Sequence, residues 1–416
     1  MNDVLMVGNG PAAVAAIEQF RLFDRSSPIT LVSKEDVPFY SPCPLAEYVE
    51  GSFARERLFL RPDSFYGEYG VEFIGGATAT GIDTSLAQLE IEKDGIGRTL
   101  SWTKLLIATG AAAATPPILG LEGASGIHTL KTLEDADAIV ASARTARSAA
   151  VIGSGFIGLE AAQALRRLGL AVTVIEALDR VLPQMLDADL AQLVRARLEA
   201  NGVRVLCSSR VASIESGRGR LRGVRVEEET IPADLVVIAT GVRPAIDWLG
   251  GSGIATDVGI IADDSMATSV SGVWAAGDVA QAPAWDGLLR SIPTWPNAVS
   301  TGRIAGAAMA GRAVRHRGLD LVNVVRVFGM AVATFGERNG EQAFDFVGAR
   351  TRRRVHVGEG RITGGQFLGD ISNSGVLHEM MRKGIDVGHF GGTVSSPGFG
   401  YSRLMPRPPT AGRHAA

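Results

Sequence analysis

Three small residues near the start of the chain have the types and spacing that could hold a phosphate. Gly8, Gly10 and Ala13 form the pattern GxGxxA directly before an alanine-rich helical stretch. In such a turn the first glycine permits a sharp bend, the second lets the backbone approach a pyrophosphate, and the third small residue lets the helix pack on a strand. The anion would then lie at the positive end of the helix. Glycine-rich turns also close structural hairpins, so this pattern alone leaves a purely structural turn open.

A second copy of the pattern lies roughly 145 residues further along the chain. Gly153, Gly155 and Gly158 have the full spacing GxGxxG, and the strand that follows ends in Glu176. An acidic residue about twenty positions after the glycines suits the ribose hydroxyls of an adenine dinucleotide, and its charge repels the extra phosphate of NADP. The pattern therefore favours NAD(H), although Arg180 could still hold that phosphate. Because a repeated mononucleotide-binding pattern indicates two dinucleotides in one chain, the sequence predicts electron transfer between them.

Both glycine patterns require a strand before them and a helix after them. Apolar runs at 3–7 and 149–152 predict these strands. Two further apolar runs, KLLIATG at 104–110 and DLVVIATG at 234–241, end in similar small polar turns, and each would close one domain. The sequence thus predicts two Rossmann-type units in one chain.

A third strand pattern, VWAAGDV, ends at Gly277 and Asp278. A carboxylate beside a glycine could accept hydrogen bonds from the hydroxyls of a polyol. The alternative is a simple turn at the end of a strand.

Composition limits the classes of protein and of partner. Although 46% of the residues are hydrophobic, no apolar run is long enough to span a bilayer. The net charge of -3 comes from mixed charges, which gives no reason to expect nucleic acid as a partner. Cys43 and Cys207 form no CxxC pair and the six histidines have no metal-ligand spacing, so no disulfide framework or metal site is expected. The first residues enter a strand at once and leave no room for a cleavable leader, so a cytoplasmic location is expected.

The motifs, taken in order, resemble those of the FAD-dependent pyridine nucleotide-disulfide oxidoreductases. They are GNGPAA, IATG, GSGFIGLE, VIEALDRVLP, IATGVRP and VWAAGDVA, and they cover nearly the whole chain. The resemblance implies an α/β fold with two Rossmann-like dinucleotide-binding domains, for FAD and NAD, plus a smaller α+β carboxy-terminal domain. It assigns 1–120 and 243–319 to a discontinuous FAD-binding domain, 121–242 to the NAD-binding domain, and 320–416 to a carboxy-terminal interface domain with a Gly/Pro-rich tail. Because relatives use this last domain as a dimer interface, a homo- or hetero-oligomer is expected.

The resemblance also implies which residues bind the cofactors FAD and NAD(H). They are Gly8, Gly10, Pro11, Ala12, Ala13, Ser33, Glu35, Ala79, Ala108, Thr109, Gly110, Gly277, Asp278, Asn297, Ala298, Gly153, Gly155, Ile157, Gly158, Glu176 and Gly241. Ser33 stands where many members carry the Glu that binds the FAD ribose, and the nearby Glu35 could replace it.

Two residues of the second glycine motif match positions near the nicotinamide in relatives. Phe156 matches the aromatic residue that covers the flavin until the nicotinamide displaces it, and Glu160 matches the acidic residue near the nicotinamide amide. Without the family, Phe156 would be interpreted as an ordinary core aromatic.

Cys43 opens the question of the electron acceptor. In the NADH oxidases, NADH peroxidases and coenzyme A-disulfide reductases a single cysteine at this position lies beside the flavin and cycles between a thiolate and an oxidised form. A helix beginning just after Cys43 would stabilise a thiolate and lower the pKa of the thiol. The alternative for Cys43 is a small apolar residue near the flavin, as we expect for Cys207 in the core.

Three features favour a different branch of the family. Pro44 follows Cys43 where the single-cysteine branch usually has Gly, and Pro11 stands where the peroxidases carry His. The segment 355–387 is more similar to the flavin portion of nitrite reductases and to the rubredoxin reductases. Members of that branch exchange electrons with iron-containing proteins, and a similar flavin subunit serves some 2-oxoacid dehydrogenases. Since the chain has no iron-sulfur cysteine set, any such centre must belong to a partner.

Three hypotheses follow. The first is an FAD-dependent NAD(H) oxidoreductase that exchanges electrons with an iron-containing protein partner or iron-sulfur subunit. The second is a Cys43-dependent NADH oxidase or coenzyme A-disulfide or persulfide reductase. The third is a flavin-bearing binding or redox-sensing protein with negligible turnover.

Overall fold

The structure is a computed structural model that describes residues 3–121, 124–217 and 219–404. These residues form two compact units. The first comprises the chain up to Val181 together with Leu198–Asp320, and the second comprises Leu182–Arg197 together with the chain from Leu321 onward. The second unit therefore includes a segment that the predicted domain boundaries assign to 121–242. Those boundaries stay predictions.

The strands and helices are numbered in chain order. The strands of the first unit are β1 Val4–Val7, β2 Ile29–Val32, β3 Val71–Ile74, β4 Ala77–Asp83, β5 Gln88–Lys93, β6 Ile96–Ser101, β7 Lys104–Ile107, β8 Ala111–Ala113, β9 Ile127–His128, β10 Ser148–Ile152, β11 Ala171–Ile175, β12 Val203–Leu206, β13 Val211–Gly217, β14 Arg220–Val226, β15 Glu229–Pro232, β16 Leu235–Ile238, β17 Val242–Pro244, β18 Ile260–Ile261, β19 Val273–Ala275, β20 Ala280–Pro283 and β21 Leu289–Arg290. Those of the second unit are β22 Val322–Val327, β23 Met330–Gly336, β24 Gln342–Val347, β25 Arg352–Gly358 and β26 Arg361–Leu368. The helices are α1 Pro11–Arg21, α2 Leu45–Val49, α3 Phe65–Glu68, α4 Leu133–Ala143, α5 Phe156–Arg167, α6 Ala188–Ala200, α7 Trp295–Met309 and α8 Ser374–Arg382.

The first unit contains two five-stranded parallel sheets. One has the strand order β19-β7-β1-β2-β3 and the other β12-β11-β10-β16-β9. Their central strands, Val4–Val7 and Ala149–Ile152, are buried throughout, as strands covered on both faces must be. The strands predicted at 3–7, 104–110, 149–152, 234–241 and 273–279 are all present. The predicted α/β fold is confirmed.

Each parallel sheet packs against a three-stranded antiparallel sheet. In the first case Leu5 and Ile107 share a core with Leu89 and Ile91 of β5. In the second, the core of the parallel sheet is closed by β13–β15. The repeat therefore extends beyond the glycine turns: in each copy a parallel sheet is covered by a three-stranded antiparallel sheet.

The second unit is an antiparallel sheet with the strand order β22-β23-β26-β25-β24. The buried side of α8, Leu377, Met380 and Met381, packs on this sheet. The α+β composition predicted for the carboxy-terminal domain agrees with these strands and this helix. Of the predicted Gly/Pro-rich tail, residues 405–416 lie outside the described residues.

Charged and polar side chains join Leu182–Arg197 to the sheet of the second unit. The carboxylate of Asp187 accepts hydrogen bonds from Arg354 at 3.0 Å and from Gln366 at 2.8 Å. Arg354 also pairs with Asp189 at 2.9 Å and with Asp345 at 2.7 Å. Three carboxylates thus share the one guanidinium of Arg354. Hydrogen bonds and ion pairs together hold Leu182–Arg197 on this sheet.

None of the helices within the described ranges is both long and apolar enough to cross a membrane.

Candidate functional site

The first glycine turn connects β1 to α1 in a conformation that only glycine adopts easily. Gly8 has a φ of +104°, and a Cβ at this position would lie 2.2 Å from the carbonyl oxygen of Ala108. Gly10 is the N-cap of α1, and a Cβ there would meet no heavy atom within 4 Å. Pro11 opens the helix, whose first turn has neither a side-chain cap nor an acidic residue. The turn therefore leaves open space in front of helix N–H groups that no side chain caps.

The second glycine turn repeats this geometry between β10 and α5. Gly153 has a φ of +102°, and a Cβ there would lie 2.4 Å from the carbonyl oxygen of Ala239. Gly155 is the N-cap, with no heavy atom within 4 Å of its virtual Cβ and no side-chain cap on the helix. A Cβ on Gly158 would lie 2.2 Å from the carbonyl oxygen of Gly153, so the helix packs directly on the turn.

The two IATG turns and the strands that follow them are hydrogen-bonded to each other, a contact that no sequence pattern predicted. β8 and β17, which follow the two turns, pair antiparallel. The Thr109 hydroxyl donates to the carbonyl of Ala245 at 3.2 Å, and the Thr240 hydroxyl donates to the carbonyl of Ala114 at 2.6 Å. Gly110 and Gly241 each accept one backbone hydrogen bond from the opposite connection. This ribbon joins the two segments against which the glycine turns pack, at Ala108 for Gly8 and at Ala239 for Gly153.

Glu176 fixes the second glycine turn. Its carboxylate accepts hydrogen bonds from the Ser154 backbone N–H at 2.9 Å, from the Ser154 hydroxyl at 2.6 Å and from the Leu178 N–H at 2.9 Å. Glu176 is only 8% exposed. Ser154 was missed in the sequence, because serine at the variable position of a glycine motif carries no distinctive signal. The guanidinium of Arg180 pairs with Asp179 at 2.7 Å.

Ser33 and Glu35 lie together after β2. Ser33 is buried, and its hydroxyl donates to the Glu35 carbonyl at 2.8 Å. The Glu35 carboxylate accepts from the Tyr40 hydroxyl at 2.8 Å, which itself accepts from the Leu133 N–H at 2.9 Å. Burial raises the pKa of Glu35, and the Tyr40 hydrogen bond opposes the shift. The other predicted residue of this region, Ala79, packs at the margin of the core instead.

The segment after β19 lies against the first glycine turn. A Cβ on Gly277 would lie 3.0 Å from Cβ of Ala12 and 3.8 Å from Cβ of Ala298. The Asp278 carboxylate faces Lys131, whose Nζ lies 3.4 Å away. The side chain of Asn297 donates hydrogen bonds to the carbonyl oxygens of Ile292 and Asp320 and accepts one from the Asp320 N–H. Gly277 and Ala298 are thus brought to the start of α1, and Asp278 directly follows Gly277. Lys131 joins Asp278 without a signal in the sequence.

Cys43 lies in surroundings that disfavour a thiolate. The residue is exposed, yet desolvation by the adjoining protein raises the pKa of its thiol, and the negative charges of Glu160 and Glu47 raise it further. A hydrogen bond from Ser41 and the charge of Lys131 act in the opposite direction without reversing the shift. The low thiol pKa expected from the sequence is therefore wrong, because burial is the largest cause of the shift, and the helix after Cys43, which has only five residues, carries Glu47 in its first turn.

Phe156, Ile157 and Glu160 lie on the first turns of α5. Phe156 is partly buried, whereas Ile157 is 45% exposed. Burial raises the pKa of Glu160 to about 7, and the charge of Glu47 contributes to the rise. Glu160 is therefore poised to gain or lose a proton near neutral pH.

Replacing Glu160 by glutamine is expected to stabilise the protein at pH 8 and to change little at pH 4.5. A carboxyl group whose pKa is raised by folding stabilises the fold below its ordinary pKa and loses that contribution as the pH rises through about 7. Removing the charge should therefore raise the free energy of unfolding by roughly 1–3 kcal/mol at pH 8. Urea denaturation of the native protein and of the variant at the two pH values measures this difference in the free energy of unfolding. Glu56→Gln, at an exposed position, is the charge-matched control; equal effects of the two variants would contradict the assignment.

A comparison with known families decides the identity of the fold. Residues 2–302 match the family described as pyridine nucleotide-disulphide oxidoreductase. The chain belongs to this family. FAD and NAD(H) are the cofactors of its members, so the predicted oxidoreductase class and cofactors of this enzyme are confirmed.

The proteins similar to this oxidoreductase include a reductase of an iron protein and a reductase of a persulfide. The chain is 30% identical over 391 residues, 92% of each chain, to the NADH-dependent phenylglyoxylate dehydrogenase subunit epsilon of Aromatoleum evansii. It is 32% identical over 312 residues to the rubredoxin-NAD(+) reductase of Ectopseudomonas oleovorans, covering 74% of this chain and 80% of the relative. Its structure is similar to that of an NAD-dependent persulfide reductase from A. fulgidus, with a TM-score of 0.87 and 29% identity, over 92% of this chain and 77% of the other.

Proposed function

We propose that the chain transfers electrons between NAD(H) and an iron-containing protein partner or subunit through FAD. The similarity to a rubredoxin-NAD(+) reductase and to a subunit of an NADH-dependent dehydrogenase carries this proposal, and the environment of Cys43 supports it. A cysteine that cycles through a thiolate needs a lowered thiol pKa, and here burial, Glu160 and Glu47 raise it. The similarity over 92% of both chains to a subunit of an NADH-dependent dehydrogenase supports a role in electron transfer to a partner or subunit.

The first glycine turn, with Gly8 to Ala13, is proposed to hold the FAD pyrophosphate. The open space at Gly10 and the uncapped N–H groups of α1 fit a diphosphate, because an anion at a helix N-terminus replaces the missing cap. Asp278 is proposed to bind the ribityl hydroxyls, with Lys131 as its neighbour. Glu35, held by Tyr40, is proposed to take the ribose position in place of Ser33, whose hydroxyl already bonds a backbone carbonyl.

The second glycine turn is proposed to hold NAD(H). Its geometry repeats that of the first turn, and Glu176, which directly follows β11, is proposed to bind the ribose hydroxyls. Phe156 and Glu160 are proposed to face the nicotinamide. When bound, the two cofactors supply the hydride transfer themselves, so the protein contributes binding, orientation and exclusion of water. We place this reaction in the cytoplasm, where the NAD(H) pool that it needs is found.

Replacing Cys43 by serine tests the choice of acceptor. If an iron protein is the partner, we expect NADH turnover with the co-purified partner and with an artificial dye to stay within about twofold of the native rate, since serine keeps the size of the side chain. The measurement is steady-state NADH oxidation by the FAD-loaded enzyme, with an iron assay on the partner that is captured with a tagged chain. A loss of partner-linked turnover of more than about 100-fold, with flavin content and dye reduction unchanged, would overturn the proposal.

A second candidate function is reduction of a persulfide, disulfide or oxygen species at Cys43. Two observations favour it: the thiol is exposed and has Lys131 nearby, and the structure is similar to that of a persulfide reductase. The loss of turnover just described is the result that this function requires.

A further inference from the structure

The two glycine turns bind the ends of their neighbouring strands in the same way. The Gly8 N–H donates to the carbonyl of Val32, the last residue of β2, at 2.8 Å. The Gly153 N–H donates to the carbonyl of Ile175, the last residue of β11, also at 2.8 Å. In both turns, the residue after the first glycine and the residue after the neighbouring strand therefore occupy equivalent positions.

In the second turn, the residues at these two positions bind each other. Ser154 donates both its N–H, at 2.9 Å, and its hydroxyl, at 2.6 Å, to the Glu176 carboxylate. In the first turn the equivalent residues are Asn9 and Ser33, and their side chains bond elsewhere. The Asn9 amide donates to a backbone carbonyl and accepts from a tyrosine hydroxyl, and the Ser33 hydroxyl donates to another backbone carbonyl. The serine and carboxylate contact is therefore a feature of the second turn.

Burial and the number of donors fix the orientation of the Glu176 carboxyl group. Ser154 is 0% exposed, so water does not compete for its hydroxyl, and hydrogen bonds to a carboxylate are among the stronger kinds. Oε2 accepts both bonds from Ser154, whereas Oε1 accepts one, from the Leu178 N–H at 2.9 Å. Since each carboxylate oxygen has two lone pairs, Oε2 is saturated. With respect to the described residues, Oε1 keeps one acceptor position.

We propose that Ser154 is a positioning residue for the selection of NADH over NADPH. This inference rests on the proposed NAD(H) site at the second glycine turn. Ser154 holds Oε2 of Glu176, so that Oε1 accepts a hydrogen bond from the 2′-hydroxyl of the adenosine ribose. NADPH carries a phosphate at this hydroxyl, so it has no proton to donate there and brings a negative charge towards the carboxylate. Ser154 itself is covered and acts through Glu176.

The test is steady-state reduction of an artificial dye by FAD-loaded Ser154→Ala, with either NADH or NADPH as the electron donor. Without the hydroxyl, only two N–H groups hold the Glu176 carboxylate. We expect KM for NADH to rise about tenfold, because loss of a hydrogen bond to a charged group costs at least that factor. The kcat should stay within about twofold, since the lost interaction concerns binding of the nucleotide. KM for NADPH should not rise, so the preference for NADH falls about tenfold.

Ser148→Ala is the matched control. Ser148 lies at the opposite end of β10 from the glycine turn, and it donates its N–H at 3.0 Å and its hydroxyl at 3.1 Å to the carboxylate of Asp234. This variant loses the same kind of bond away from the proposed nucleotide site. Its kinetic constants for both nucleotides should therefore stay within about twofold of the native values. Equal effects of the two serine variants would contradict a specific role of Ser154.

Glu176→Ala separates this inference from the proposed NAD(H) site. It should raise KM for NADH at least tenfold, and adding Ser154→Ala should change this value by less than about twofold, because the hydroxyl then has no carboxylate to hold. Ser154→Cys fills the same space with a weak donor and should reproduce Ser154→Ala if that variant does not fold. A native KM in a folded Ser154 variant, or additive effects in the double variant, would overturn the role of Ser154. A native KM in Glu176→Ala would instead overturn the proposed NAD(H) site.

Discussion

Replacing Gly155 by valine is expected to abolish reduction of the bound flavin by NADH while the fold and the FAD content stay intact. Gly155 has a φ of -67° and a ψ of -177°, which valine adopts without strain, and its virtual Cβ meets no heavy atom within 4 Å. The side chain would therefore fill only the space proposed for the NAD(H) pyrophosphate. Because a small displacement of a bound reactant costs about 100-fold, we expect at least that loss in kcat/KM for NADH, measured by stopped-flow bleaching of the flavin.

Gly10→Val is the matched control for this experiment, because Gly10 has the same role in the first glycine turn and the same open space. It should lose FAD rather than NADH binding. Flavin absorbance per protein and the melting temperature separate the two results from simple unfolding. If Gly155→Val were still reduced by NADH at the native rate, the second glycine turn could not be the NAD(H) site.

Much of the fold could be predicted because it is encoded in short stretches of the chain. The apolar run Val4–Val7 and its counterpart at Ser148–Ile152 form the strands that their composition predicts. Glycine at 8 and 153 is required by a positive φ, which is a local property of the turn. Such features depend on no distant residue, so the local sequence predicts them.

Electrostatic properties of the site could not be predicted in this way, because they depend on residues that are remote in the chain. The pKa of the Cys43 thiol was expected to be low from a helix that follows it, but burial by the folded chain raises this pKa, and so does the charge of Glu160, more than a hundred positions away. Lys131 reaches Asp278 across 147 positions. The attachment of Leu182–Arg197 to the carboxy-terminal sheet through Asp187 depends equally on contacts that no local pattern announces.

Replacing Gly302 by alanine is expected to destabilise the protein by about 3 kcal/mol or more and to release FAD, although alanine is the better helix former. α7 crosses α1 so closely that a Cβ on Gly302 would lie 2.1 Å from the carbonyl oxygen of Ala12. One turn later, a Cβ on Gly306 would lie 2.3 Å from the carbonyl oxygen of Ala16. Since these contacts are with backbone, no side chain can move aside. The helices must separate, which displaces the N-terminus of α1 from the first glycine turn.

Chemical denaturation followed by flavin fluorescence measures both effects together. Arg303→Ala, on the exposed side of the same helix, adds helix propensity without touching α1 and should leave stability within about 0.5 kcal/mol of the native value. Gly306→Ala should resemble Gly302→Ala in stability but retain more FAD, because its contact lies one turn further from the glycine turn. If Gly302→Ala bound FAD as firmly as the native enzyme, the N-terminus of α1 would not depend on this helix crossing, and its proposed role at the FAD pyrophosphate would lose its structural support.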